Sequence, residues 1–155
     1  MASFRPPTLL ALTSYVAGHV ARLGHLDLVD ALDAYDLRLP HYATLAALDD
    51  FGPLPQHDLA ARLGFNRSHL VGYLDTVQQQ GLVHRERDTR DRRIQRITLT
   101  EKGRALCEEL HPVARRSQQR LTHILNDRDR DTLNRLLLRV LEANDGPRST
   151  QDSTR

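Results

Sequence analysis

Hydrophobic residues recur at helical spacing near the N-terminus of the chain. In residues 8–35 the apolar side chains stand three or four positions apart, at Leu9, Leu12, Val16, Val20 and Leu23. This period predicts an amphipathic helix, with a break or kink at Gly24–His25 because glycine weakens a helix. Pro40 suits the first turn of a second helix, which Gly52–Pro53 ends.

Two shorter helices joined by a tight turn are predicted within residues 58–81. The first ends at Gly64, because glycine accepts the left-handed backbone found just past a helix C-terminus. Asn66 can cap the second helix through its side-chain oxygen, and Gly81 closes it. The buried face of the second helix carries apolar residues at i, i+4 and i+7, namely Leu70, Leu74 and Val77. This pattern is typical of a helix-turn-helix.

The period then changes to one that favours strands. Residues 82–85 and 94–99 are short β-prone runs, and residues 86–93 between them are too polar to bury. The sequence therefore predicts a β-hairpin with a charged tip. From Arg85 to Arg96 it holds six arginines against three acidic residues, a net basic charge of three. A basic hairpin beside a helix-turn-helix can enter a DNA minor groove, and Asp88 or Asp91 can pair with a neighbouring arginine to shape it.

The C-terminal part is again helical. Thr100 can cap a long helix over residues 101–125, in which Pro112 predicts a kink. Asn126 can cap a final helix with a wide apolar stripe, formed by Leu133, Leu136, Leu137, Val140 and Leu141. Residues 146–155 are polar, and we expect them to be a disordered tail.

Composition limits the class of protein. The chain has 155 residues, 39% of them hydrophobic and 27% charged, which suits one soluble domain with a core. It lacks an apolar run long enough for a membrane span and a signal peptide, so we expect a cytoplasmic protein without membrane contact. The formal net charge is only +2, so the local basic hairpin says more about a nucleic-acid partner than the total charge does.

One segment resembles a known family. Residues 88–93, DTRDRR, followed by residues 97–103, ITLTEKG, closely resemble the wing signature of the MarR (multiple antibiotic resistance regulator) transcription factors. Residues 59–64, 74–75 and 81–83 support the resemblance, and weaker similarity covers roughly residues 8–143. It implies a mainly α fold with a small β-hairpin wing, as a single domain over residues 1–145. The winged helix-turn-helix would span about 40–100, and the dimerisation helices about 8–35 and 101–144.

The resemblance also implies a function, which is sequence-specific binding of double-stranded DNA by a homodimeric transcriptional repressor at a pseudo-palindromic site. The outward residues of the second helix suit a major groove, and those of the wing suit phosphates or a minor groove. The candidate DNA-binding residues are Arg67, Ser68, His69, Gly72 and Tyr73 in the helix and Arg90, Arg92 and Arg93 in the wing. Two positions depart from the family pattern: Pro55 replaces a polar cap, and Gly72 replaces an arginine.

The terminal helices have more apolar surface than a small DNA-reading domain needs. The candidates for a homodimer interface are Leu9, Leu12, Val16, Leu133, Leu136, Leu137 and Val140. A closed intramolecular core is the alternative for these residues. The alternative for the whole chain is a winged-helix protein-interaction module without DNA binding. Such a module needs neither arginines at a hairpin tip nor a polar helix face.

A small-molecule site is a further expectation from the resemblance, because MarR-like proteins often bind aromatic anions beside the dimer helices. In this chain the corresponding residues are Tyr15, His19, Arg22, His41 and Tyr42. Tyr15 and His19 also recur at helical spacing, so simple packing is the alternative for them. The sequence does not identify the ligand.

Motifs for catalysis are absent from the sequence, which lacks a phosphate-binding glycine loop and a nucleophile elbow, so we expect neither enzyme activity nor a cofactor. Cys107 and His111 stand four apart and can share a helix face, but the sequence indicates no third ligand and we expect no metal site. Cys107 is expected to be a structural thiol, because Glu108 and Glu109 oppose its ionisation.

Overall fold

The computed structural model describes residues 4–145, and the expected disordered tail at 146–155 lies outside the described residues. The described part contains helices and three short strands in this order: α1 (Pro7–Leu10), α2 (Thr13–Gly24), α3 (Leu26–Asp33), α4 (Leu39–Phe51), β1 (Leu54–Pro55), α5 (Gln56–Leu63), α6 (Arg67–Gln79), β2 (Val83–Arg87), β3 (Gln95–Leu99), α7 (Glu101–Leu121) and α8 (Asp127–Asn144). The mainly helical fold class with a β wing is confirmed. None of the described helices combines the length and the apolarity that a membrane span requires.

The N-terminal region consists of three helices rather than one. The predicted break at Gly24–His25 is confirmed, and the Gly24 carbonyl accepts from the Ser117 hydroxyl of α7 at 2.5 Å. The prediction of continuous helix from Thr8 to that break is wrong, because α1 ends at Leu10 and Leu12 is extended with φ −90° and ψ 110°. No side-chain cap holds the start of α2. Apolar periodicity alone did not reveal this interruption.

The hydrophobic core lies among the helices and strands between α3 and the first half of α7. Its largest fully buried apolar side chains are Leu32, Leu37, Leu45, Leu59, Leu70, Leu74, Val77, Leu82, Ile97 and Leu110. Because α4, α5 and α6 all contribute to this cluster, the helix-turn-helix is held by side chains that are removed from water. Leu59, Leu70 and Leu74 have no exposed surface at all.

The sheet has three strands, in the order β1-β3-β2, with both neighbouring pairs antiparallel. Val83 pairs with Leu99 at one end of the hairpin and Arg87 with Gln95 at the other. The hairpin confirms the predicted wing. Strand β1 was not predicted, since Leu54–Pro55 is too short to show a period-two pattern.

Helix α7 begins at a side-chain cap, as the sequence predicts. The Thr100 hydroxyl accepts from the Gly103 amide at 3.0 Å and donates to the Gly81 carbonyl at 2.7 Å. Pro112 lies inside the helix, which continues to Leu121.

The chain divides into two compact units between Gln118 and Gln119. In the second unit, the Asn126 side chain accepts from the Asp129 amide at 2.9 Å and so caps α8, as predicted. Helix α8 has no buried residue, and its apolar side chains are exposed. In the first unit, the leucines and valines of α1 and α2 are likewise exposed. Each of the seven candidate interface residues is at least 36% exposed.

Candidate nucleic-acid interface

The first helix of the helix-turn-helix ends in a left-handed turn. Gly64 has φ 64°, and the Phe65 amide donates to the Ala60 carbonyl at 3.0 Å. A residue with a Cβ atom is strained in this conformation, which explains the glycine. At the other end of α5, Pro55 occupies the cap position and supplies no side-chain hydrogen bond, as its chemistry predicts.

Helix α6 begins at the predicted cap. The Asn66 side-chain oxygen accepts from the Ser68 amide at 2.9 Å and from the Ser68 hydroxyl at 2.6 Å. The buried face of α6 carries Leu70, Leu74 and Val77, also as predicted. The exposed residues of its first two turns are Arg67, Ser68, His69, Val71 and Gly72. This surface offers donors, acceptors and small groups on one rigid helix, which is what base-edge recognition in a major groove needs.

Two residues of this surface carry no polar side chain. Val71 is 39% exposed. The sequence did not single out Val71, because an apolar residue in a helix is normally assigned to the core. An exposed apolar side chain at this position suits contact with a thymine methyl group. Gly72 has open space around the position where a Cβ would stand. Packing within the chain therefore does not require a glycine there.

Tyr73 is placed differently from the other candidate residues. Its half-buried ring makes edge contacts with Phe65 and His41, each with ring centroids 5.5 Å apart. Edge-to-face aromatic pairs of this kind stabilise packing. The expectation that Tyr73 belongs to the exposed first turns is wrong, because its ring joins the turn before α6 to α4.

Asp88 organises the tip of the wing. Its Oδ1 atom accepts from the amides of Arg90 and Asp91, at 2.8 and 3.3 Å, and its Oδ2 atom accepts from Nε and Nη2 of Arg96, at 3.2 and 3.1 Å. The backbone hydrogen bonds first, and Arg96 next, lower the pKa of Asp88 below its ordinary value. The hydrogen bonds hold the turn that presents the tip arginines.

The tip arginines themselves extend into solvent. Arg90, Arg92 and Arg93 are all exposed, and the Arg93 side chain is 95% exposed although its Nε lies 3.9 Å from Asp91. We expected Asp88 or Asp91 to pair with one of these three arginines. Among the described residues, the long contact between Arg93 and Asp91 is the one ion pair of this kind. The close ion pair of Asp88 is with Arg96 in β3.

A second ion pair joins the wing to the helix that it flanks. Arg85 in β2 donates to the carboxylate of Asp75 in α6, and the Arg85 side chain is only 15% exposed. Because the pair is partly shielded from water, it restrains the base of the wing against α6 more than an exposed pair would. Arg85 and Arg96 are therefore used within the fold.

A groove of about 630 Å³ lies between α5, the start of α6 and the wing. Its lining includes four arginines, Arg67, Arg87, Arg92 and Arg93, together with the apolar, half-buried Ile94. The groove thus brings together three of the candidate residues, Arg67 of the helix with Arg92 and Arg93 of the wing. The other five candidates, Ser68, His69, Gly72, Tyr73 and Arg90, do not line it. The groove adds Arg87, which the sequence placed in the basic hairpin but did not single out as a DNA-binding candidate. Four guanidinium groups in one groove attract phosphate.

The residues expected at a small-molecule site lie on two helices, α2 and α4. On α2, the rings of Tyr15 and His19 have centroids 4.2 Å apart with their planes tilted by 37°, and His19 Nδ1 lies 3.0 Å from the Tyr15 carbonyl oxygen. Both residues are half-buried, and Arg22 is exposed one turn further along. A carbonyl can only accept, so Nδ1 carries the proton of this contact.

The two residues on α4, His41 and Tyr42, each have partners within the fold. His41 is 2% exposed, and its Nδ1 accepts from the Arg38 amide at 2.9 Å, which caps α4. Burial first, and Arg38 next, lower the pKa of His41, whereas Asp36 raises it. Tyr42 is half-buried with its ring edge against His111, and burial raises its pKa. His41 therefore has a structural role that its position in the sequence did not reveal.

Cys107 is fully buried, which agrees with the expected structural thiol. Burial first, and the nearby Asp49 next, raise the pKa of Cys107 to about 11. The free thiol is therefore protonated at neutral pH.

These features define a class. A helix-turn-helix with an exposed polar second helix, followed by a basic β-hairpin, is the winged helix-turn-helix of DNA-binding transcriptional regulators. Residues 37–95 match the model of the MarR family, and this part of the chain is a MarR-family domain.

Solved structures have the same fold over most of the chain. The transcriptional repressor CouR bound to a 23-mer DNA duplex is 28% identical, with a TM-score of 0.80 over 90% of this chain and 99% of that one. BpsR of Bordetella bronchiseptica, in a structure on regulation of its DNA binding by 6-hydroxynicotinic acid, is 23% identical, with a TM-score of 0.80 over 90% of this chain and 100% of that one. PcaV of Streptomyces coelicolor, in complex with its natural ligand, is 24% identical, with a TM-score of 0.76 over 92% and 99%.

Proposed function

We propose that the protein is a transcriptional repressor that binds a pseudo-palindromic DNA site as a homodimer and is released by a small aromatic acid. The observation that carries this proposal is the groove in which Arg67 of α6 meets Arg87, Arg92 and Arg93 of the wing. Positive charge is concentrated beside an exposed helix of the size that a major groove admits.

The two parts of the interface have different tasks. The exposed start of α6, with Ser68, His69 and Val71, contacts base edges and so sets the sequence preference. The tip arginines Arg90, Arg92 and Arg93 bind phosphates or enter the adjacent minor groove, whose negative potential attracts arginine. The CouR structure, which holds a DNA duplex on the same fold, supports this assignment.

A dimer explains the exposed apolar residues. On α2, Leu23 is 50% exposed, as is Leu12 just before it, and on α8 Val140 is 60% and Leu141 55% exposed. Apolar side chains repeated along a helix face normally become covered by a partner. A two-fold dimer also places two recognition helices about 34 Å apart, which matches two half-sites one helical turn apart.

Control by an aromatic acid rests on two observations. The paired rings of Tyr15 and His19 offer an aromatic surface beside the exposed Arg22. BpsR, which has this fold, is the subject of a structure on regulation of DNA binding by 6-hydroxynicotinic acid, an aromatic acid. Such a ligand releases DNA only if it binds the DNA-incompetent conformation more tightly than the competent one.

Selection of bound fragments from the genome that encodes the protein tests DNA recognition. We expect enrichment of short inverted repeats, with the region upstream of the protein's own gene as the first candidate. Light scattering after gel filtration should give the mass of a dimer. If no sequence is enriched at moderate salt, the protein does not read DNA specifically, and a protein-interaction module becomes the better explanation.

A further inference from the structure

Three metal-ligating side chains outside the DNA interface lie together in the first unit. Asp49 comes from the C-terminal part of α4, and Cys107 and His111 come from one face of α7, four positions apart. One carboxylate oxygen, the Cys107 Sγ and one ring nitrogen of His111 all lie within 4.8 Å of one another. The sequence suggested the Cys107–His111 pair but lacked a third ligand, and the fold supplies it from a distant part of the chain.

The distances within this cluster leave room for a cation. Asp49 Oδ2 lies 3.9 Å from His111 Nδ1, which is too long for a hydrogen bond. A tetrahedral zinc ion binds its ligands at about 2.0 to 2.3 Å, so two of its ligand atoms stand roughly 3.5 Å apart. The cluster therefore needs only a small contraction to hold such an ion.

We propose that Asp49, Cys107 and His111 bind a Zn²⁺ ion, with the fourth position of the ion open to water or to an added ligand. Thiolate, imidazole and carboxylate form a ligand set that suits zinc. Magnesium and calcium bind oxygen ligands and do not favour a thiolate. Zinc sites that keep one position open to water or substrate also have three protein ligands.

The surroundings of the cluster favour a bound cation in two ways. The ring of Tyr42 packs edge-on against His111 at 5.8 Å and so limits the orientation of the imidazole. The Asp49 side chain is 23% and the His111 side chain 27% exposed, so two of the three ligands are accessible to an ion from solvent, while Cys107 itself is buried. Binding requires the thiolate, so the Cys107 proton passes to solvent as the metal–sulfur bond forms.

Arg104 is the group that the ion would displace. Its Nη1 lies 3.6 Å from Asp49 Oδ1, while its side chain is 58% exposed. An exposed ion pair of this length contributes little to the stability of the fold. Replacement of Arg104 by a divalent cation beside Asp49 therefore loses little free energy. The bound ion would connect α4 to α7.

Cobalt(II) provides the test, because a thiolate bound to Co²⁺ absorbs by charge transfer from sulfur to metal. The full-length, reduced protein without an affinity tag is titrated with Co²⁺ and then with Zn²⁺. We expect one Co²⁺ per chain, a charge-transfer band, and loss of that band as Zn²⁺ replaces Co²⁺. Cys107→Ser should abolish the band. Asp49→Asn and His111→Gln should weaken Co²⁺ binding by at least about 10-fold.

His123→Gln is the matched control, because His123 is an exposed histidine in the other unit. It should bind Co²⁺ like the parent. Circular dichroism checks that each variant folds, and the half-buried Asp49 and His111 provide the decisive variants if Cys107→Ser does not fold. A parent protein without a charge-transfer band, or Asp49→Asn and His111→Gln variants with parental affinity, would overturn the site.

Discussion

A Cβ atom placed on Gly103 would lie 2.1 Å from the carbonyl oxygen of Leu82. The neighbouring Thr100 amide donates to the same carbonyl at 3.0 Å, so the start of α7 rests directly on the residue before β2. Backbone cannot move aside as the end of a side chain can. The glycine is therefore required by the close approach of two backbone segments, not by its own dihedral angles.

We predict that Gly103→Ala destabilises the fold by about 1 to 3 kcal/mol, the usual effect of forcing extra volume into a packed site. Gly72→Ala is the matched control, since the same change there meets open space. In that position alanine should stabilise the helix by up to about 1 kcal/mol. Urea unfolding at a fixed protein concentration measures both variants, and equal effects would contradict the role assigned to Gly103.

Local signals in the sequence predicted the end of α5 and the starts of α6, α7 and α8. Gly64 and the caps Asn66, Thr100 and Asn126 act through atoms within three or four residues, and the structure contains each of these hydrogen bonds or turns. Such contacts depend only on nearby residues, so a single sequence is sufficient to find them.

Contacts between distant segments were not predictable in the same way. The ring of Tyr73 packs against Phe65 and His41 only because α4 crosses α6 nearby. Asp49 reaches Cys107 only after α4 and α7 have packed together. Apolar spacing indicates which face of a helix is buried but not which partner covers it, so these side chains took their roles from the tertiary fold.

Asp88 allows a test that separates charge from shape in the wing. Asp88→Asn and Glu86→Gln each remove one negative charge from the hairpin. The new amide of the Asp88→Asn variant would disrupt the hydrogen bonds from Arg96 at 3.1 and 3.2 Å, whereas Glu86 is exposed at the wing surface. We expect Asp88→Asn to weaken DNA binding and Glu86→Gln to leave it equal or tighter.

Fluorescence anisotropy with one DNA duplex at several salt concentrations compares these two variants. Charge alone predicts that both bind more tightly than the parent, because less repulsion opposes the phosphates. If Asp88→Asn and Glu86→Gln have the same affinity, Asp88 does not shape the part of the wing that contacts DNA.

Arg92→Ala and Arg93→Ala should weaken DNA binding strongly while the fold and the dimer persist. Both side chains are exposed, and both line the groove beside α6. Removal of one phosphate-binding arginine should reduce the slope of log affinity against log salt by about 0.9. Arg116→Ala, at an exposed position on α7, is the control for removal of one positive charge. Unchanged affinity at moderate salt, or disappearance of the circular dichroism of the folded protein, would count against the assignment.

The start of α6 should determine which base is preferred. Substitution of Ser68 or His69 should alter the ranking of single-base variants of the operator, since one good base contact discriminates by about 1 to 3 kcal/mol. Arg67 lines the groove and can contact either a base or a phosphate. If Arg67 contacts a phosphate, Arg67→Ala should lower the affinity for every sequence alike, whereas loss of a base contact should change the ranking. Tyr73→Phe keeps the packed ring and removes only the hydroxyl. A ranking unchanged in all four variants would place specificity elsewhere.

A small aromatic acid should release the protein from DNA through the Tyr15–His19 pair. The two rings are in contact and half-buried on α2, so a planar ligand can pack on them while its carboxylate meets the exposed Arg22. Tyr15→Ala and His19→Ala should blunt the release without abolishing DNA binding, because neither residue belongs to the helix-turn-helix. Ser14→Ala, an exposed change on the same helix, should respond like the parent.

Titration of the protein–DNA complex with a panel of aromatic carboxylates and phenols, followed by fluorescence anisotropy, measures this release. A ligand shifts the equilibrium only by the difference between its affinities for the two conformations, so tight binding without release is a meaningful negative result. If no compound releases DNA below about millimolar concentration, the proposed control is wrong. A Kd in that range corresponds to a binding free energy of only about −4 kcal/mol. If Tyr15→Ala and His19→Ala release DNA like the parent, the ligand acts at another site, and the DNA-binding assignment is unaffected because it rests on α6 and the wing.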